Sequence, residues 1–124
     1  MFGRPSKKEI YNKVKNALDA VRDGNRVQAL SKHTAMGYDF LDVNDESEFW
    51  SLLEKLLDEL LIVDPVKHYA GARPPQQSYE PQLKNKELWA YVWDSSILSK
   101  TIYLKFCYKN NYYFHVDCHE NQNK

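Results

Sequence analysis

The chain is expected to form one α+β domain, in which an antiparallel sheet of three or four strands packs one face on helices from the N-terminal half. Three observations carry this. Apolar residues recur at helical spacing through about residues 6–64. The last third, about 87–120, is rich in aromatic and β-branched residues between polar, turn-prone segments, as in consecutive strands. A length of 124 residues with 43% apolar and 14% aromatic content suits a single domain, 1–124, with a real core.

Ser6-Lys7-Lys8-Glu9 fits a capping box, which satisfies free amides of a first helical turn. Ile10, Tyr11, Val14, Leu18 and Val21 follow at helical spacing, and Gly24 is placed to stop the helix near Asp23. Val27 to Met36 reads as a shorter helix ended by Gly37, and Tyr38 to Leu41 as an extended link. Asn44 is the expected N-cap of the strongest helix, with Asp45, Glu46 and Glu48 favourable at its positive end. Phe49, Trp50, Leu53, Leu56, Leu57, Leu60 and Leu61 form its apolar stripe, and Asp64-Pro65 ends it. About 65–86 is a proline-rich loop holding Lys67, His68 and Arg73; so long a connection is uncommon in a compact domain and often functional.

Strands are expected at about Leu88–Trp93, Thr101–Tyr108 and Tyr112–His119. A three-residue turn, Lys109-Asn110-Asn111, would set Tyr108 opposite Tyr112, Phe106 opposite Phe114 and Leu104 opposite Val116, giving one clean apolar face. The other face would carry Tyr103, Lys105, Cys107, Tyr113, His115, Asp117 and His119. A two-residue turn would mix apolar and charged groups, so the first register is preferred. Cys107 and Cys118 then point to opposite faces and stay reduced.

Net charge is zero, which argues against a general nucleic-acid binder, although a local basic patch can serve. Acids concentrate in residues 41–60, where seven face one lysine. No apolar run approaches 18 residues and the start lacks a signal-peptide core, so no membrane partner and a cytoplasmic location are expected. Phosphate-binding glycine loops, Cys-x-x-Cys pairs and nucleophile elbows are absent.

The residues of the ionisable face leave several readings open. His115, Asp117 and His119 at two-residue spacing suggest a metal site, but successive same-face residues on one strand stand about 6–7 Å apart and diverge. A polar face that merely solvates is another reading. The third is acid–base chemistry on RNA, whose 2′-hydroxyl is its own nucleophile. The protein then supplies a base, an acid and cations, with no cofactor. Tyr103, Lys105, His115 and His119, with Lys67 and Arg73 reaching from the loop, form such a set.

Across about Val27 to Glu120 the order of elements resembles the MqsR family of messenger-RNA interferases, within the wider RelE-like toxins. The resemblance rests on Ala29-Leu30 before Gly37-Tyr38-Asp39-Phe40, on Lys67 after a Leu-rich helix, on Trp89 before a strand, and on Ile102-Tyr103-Leu104-Lys105-Phe106. The family's glutamine after the Trp falls on Ala90, and its late lysine falls on Cys118 or His119; Gln76, Gln77 or Gln82 stand as substitutes for the amide. The resemblance implies a RelE-like sheet and an endoribonuclease toxin of a toxin–antitoxin system, blocked by a cognate antitoxin. Catalysis would fall to Lys67, Tyr103 and His119, and phosphate binding to Arg73, Lys105 and His115. A non-catalytic interaction module, immunity-like or toxin-like, is the other reading; the acidic helix and neutral charge favour it.

Overall fold

The structure is a computed structural model that describes residues 5–28, 43–71 and 86–121. Helix α1 spans Lys7–Arg22. The Ser6 hydroxyl accepts a hydrogen bond from the Glu9 amide at 3.0 Å, the expected cap. Its C-terminus closes as a Schellman motif. Gly24, with φ +82°, donates to the Val21 carbonyl, and Asn25 donates to that of Ala20. The chain leaves this turn directly into strand β1, Arg26–Gln28. A helix from Val27 is therefore corrected at its start: Val27 and Gln28 pair in parallel with the last strand. The β-branched Val27 fits a ladder, and the rest of that helix, with Gly37 to Leu41, lies outside the described residues.

Helix α2 spans Glu46–Val63. Its cap is Asp45, one residue after the expected Asn44; the Asp45 carboxylate accepts from the Glu48 amide while Glu48 accepts from that of Asn44. Phe49, Trp50, Leu53, Leu56, Leu57 and Leu60 are buried along one flank. Asp64, with φ +86°, breaks the helix, and its carboxylate caps the single turn α3, Pro65–His68. Tyr69 then bridges Tyr91 at the sheet edge. The proline-rich stretch thus begins as ordered structure, and residues 72–85 lie outside the described residues.

Strands β2 (Trp89–Ser95), β3 (Lys100–Lys109) and β4 (Tyr112–Glu120) complete a four-stranded sheet of order β1-β4-β3-β2. The sheet is mixed rather than purely antiparallel, because β1 runs parallel to β4. Trp89, Tyr91, Trp93, Ile102, Leu104, Phe106, Tyr113 and Cys118 form the sheet side of the core. The Tyr91 hydroxyl, deep in that core, donates to the Ile10 carbonyl of α1 at 2.9 Å. Glu59 of α2 ties the β2–β3 turn by accepting from Trp93 Nε1 and the amides of Ser96 and Ile97. Burial acts to raise its pKa, but these bonds and one from Ser95 outweigh it and hold the carboxyl below its ordinary value.

The hairpin register corrects the expectation. The turn has two residues, with Asn110 and Asn111 both left-handed at φ 54° and 67°. That conformation matches the twist of the strands, and Asn accepts it. Lys109 therefore faces Tyr112, Cys107 faces Phe114, and Phe106 faces His115. A bulge then leaves Val116 unpaired, after which Lys105 faces Asp117, Leu104 faces Cys118 and Tyr103 faces His119. The extra residue changes the parity of β4 midway. Tyr113 and His115 turn into the core, while Asp117 and His119 stay on the face away from the helices. Cys107 and Cys118 do lie on opposite faces, and neither forms a disulfide.

Candidate functional site

Two rungs of the β3–β4 ladder place four polar side chains on the outer face of the sheet: Tyr103 opposite His119, and Lys105 opposite Asp117. The Tyr103 and His119 rings stack at 4.9 Å between centroids, 13° from parallel. The Lys105 ammonium lies 5.9 Å from the Tyr103 ring centroid, within cation–π range. His119 Nε2 lies 3.4 Å from an Asp117 carboxylate oxygen, an ion pair whenever the imidazole is protonated.

Proton positions follow from the partners. A carbonyl only accepts, so the 2.9 Å contact of His119 Nδ1 with the Glu120 carbonyl fixes the proton on Nδ1. The Nε2 atom, outside that bond, faces the Asp117 carboxylate. The His119 side chain is 47% exposed, within reach of a solvent-borne substrate. Burial, and after it the negative charge of Asp117, push the Tyr103 pKa up. Tyr103 is therefore a neutral hydroxyl at ordinary pH, a donor rather than a base.

His115 leaves the expected set. It is 1% exposed, stands edge-on to Phe49 at 4.9 Å, and has Nδ1 at 3.1 Å from the Tyr113 hydroxyl. Burial lowers its pKa to about 3, so it is a neutral core residue and cannot hold phosphate. The bulge is the cause, since it sets His115 and Asp117 on opposite faces. The same parity change separates the His115, Asp117 and His119 metal set, and no cluster of three metal-ligating groups occurs among the described residues.

Lys67 is exposed on α3, which packs on α1 and the end of β2, in the helical layer. Among the described residues, no hydrogen bond or ion pair joins it to Tyr103 or His119. Arg73, Gln76, Gln77 and Gln82 lie outside the described residues. Asp117 is the group missing from the expected set; its two-residue spacing from His119 was the available signal. No family model, curated protein or solved structure matches the chain.

Proposed function

We propose that the chain is a metal-independent endoribonuclease that acts through the outer face of its sheet. The observation that carries this reading is the stacked Tyr103–His119 pair, with Lys105 and Asp117 in the adjoining rung. Cleavage of RNA by its own 2′-hydroxyl needs a proton acceptor, a proton donor and positive charge near phosphorus. His119 Nε2, its proton-bearing Nδ1 anchored to the backbone, takes the 2′-hydroxyl proton, and Asp117 stabilises the resulting imidazolium. The 2′-oxygen bonds to phosphorus and the bond to the 5′-oxygen breaks. The Tyr103 hydroxyl gives its proton to that leaving oxygen, and Lys105 offsets charge on the phosphoryl oxygens. The phenolate regains a proton, and the imidazolium loses one, through water. Products are a 2′,3′-cyclic phosphate and a 5′-hydroxyl.

The reading leaves the acid–base work to Tyr103 and His119 without Lys67, because Lys67 sits in the helical layer. The toxin role and the antitoxin partner rest on the sequence resemblance alone; the antitoxin would act by covering the outer face. The test is incubation of purified protein with single-stranded RNA in the presence of a chelator. Cleavage that is lost in His119→Gln supports the reading. Absence of cleavage by the folded wild type, with and without ribosomes, refutes it and favours a non-catalytic interaction module.

A further inference from the structure

The outer ladder does not end at the two polar rungs. Beyond Lys105–Asp117 come Cys107–Phe114 and then Lys109–Tyr112, next to the turn. Tyr112 is 43% exposed, and its ring centroid lies 6.3 Å from that of Phe114. The Lys86 ammonium lies 5.1 Å over the Phe114 ring. Lys86 precedes β2, and β3 lies between β2 and β4, so its side chain reaches across the outer face toward β4.

Lys86 and Lys109 also line a surface cavity of about 290 Å³ with Lys13, Tyr108, Asn110 and Glu87. Lys13 is held at the rim by two rings, with its ammonium 5.1 Å from the Trp89 centroid and 5.7 Å from that of Tyr108. Three lysines therefore stand among the lining residues beside one carboxylate, Glu87, with the Lys13 ammonium on the helical side and the Lys86 ammonium over the outer face. Among the described residues none of the three is in an ion pair.

We infer that the turn end of the sheet is a second nucleic-acid subsite, which holds the single strand away from the reacting phosphate. The inference rests on the RNA-cleaving reading of the outer face and names how the substrate is held. Phosphates engage Lys86 and Lys109, and a base stacks on the exposed Tyr112. An exposed ring beside cations is the combination that grips single strands without sequence preference. An acidic peptide would use the lysines and leave the ring face idle. Six residues separate Tyr103 from Lys109 on β3, about 20 Å at strand rise, so a bound strand spans several nucleotides between the subsites.

The test is equilibrium binding of a labelled single-stranded DNA of about a dozen nucleotides, within the usual site sizes, over a range of salt. Such a strand lacks the 2′-hydroxyl, so binding is read without cleavage. Tyr112→Ala should weaken binding about tenfold or more, and Tyr112→Phe should restore it. Lys86→Gln with Lys109→Gln should lower the slope of log affinity against log salt by about 0.7 for each phosphate left without its lysine. Circular dichroism of each variant establishes that it is folded. Wild-type affinity and slope in the folded lysine variant would overturn the inference. So would no binding by the wild type, or binding that Tyr112→Ala leaves intact, which marks a polyanion patch only. The two claims separate cleanly: lysine- and Tyr112-dependent binding without RNA cleavage refutes the nuclease reading alone, and cleavage with lysine-independent binding refutes the subsite alone.

Discussion

Two histidines on one strand, four residues apart, meet opposite fates. His119 stays half-exposed with its Nε2 beside Asp117, while His115 is enclosed against Phe49 and Tyr113. Tyr103→Phe removes the hydroxyl and keeps the ring stacked on His119. We expect cleavage to fall by about 10²- to 10⁴-fold, the usual contribution of a positioned acid, with the melting temperature nearly unchanged. Single-turnover kinetics and thermal unfolding check the two halves. His115 makes a separate prediction about acid stability. Its folded pKa, about 3, lies below the unfolded value of 6.5, so the unfolded chain binds the proton first. Its contribution is full above about pH 6.5. Stability falls by up to about 1.4 kcal/mol per pH unit as pH drops from there toward 3. His115→Gln should lower stability at neutral pH but flatten this slope, read from urea unfolding at a series of pH values. An equally steep slope in the variant would contradict the burial argument.

At the scale of elements, the β3–β4 hairpin decides which residues can act. Its strands, their order and the outward placement of Tyr103, Lys105 and His119 were legible from alternation and turn composition. The bulge was not. Strict alternation assumes an unbroken period of two, and nothing in Phe114-His115-Val116-Asp117 marks an inserted residue. The left-handed Asn110-Asn111 pair set a two-residue turn, and the bulge at Val116 then restored the apolar row of β3 against Cys118. A three-residue turn was therefore the wrong solution to a real conflict: the one slip in register lies at Val116 and not at the turn. β1 was missed for a related reason: three residues are too few for a period, and its strand state comes from pairing with β4. The bulge carries its own prediction. Deleting Val116 leaves Phe106 opposite His115 and Lys105 opposite Asp117, so the same side chains keep the same faces. Denaturant unfolding should give a cost within about 0.5–3 kcal/mol, that of an ordinary substitution, with cleavage retained. Loss of the fold would mean that Val116 holds more than an extra position.

Over the whole molecule, the helices and the sheet divide the work. Helices α1 and α2 cover one face with aliphatic and aromatic side chains, and the other face carries the ionisable rungs. No helix among the described residues is long and apolar enough to cross a membrane. Core and candidate site are thus separable. Leu57 is fully buried, and Leu57→Ala should cost about 2–5 kcal/mol by cavity formation. Measured well below the melting point, its cleavage rate should stay near wild type; a loss as large as that of Tyr103→Phe would contradict the division. Lys67 and Arg73 were expected to reach the site from the loop, Lys67 by the resemblance as well, but Lys67 falls on the helical side because α3 follows α2 into that layer. Sequence order placed it after the long helix, but not on a face of the sheet. The central claim, that RNA is cut by its own 2′-hydroxyl on the outer face, is tested most directly by the chemistry of the ends. Purified wild type with RNA in chelator should yield 2′,3′-cyclic phosphate and 5′-hydroxyl termini, at a rate that collapses in His119→Gln. Uncut RNA, 5′-phosphate termini, or an undiminished rate in that variant would contradict it.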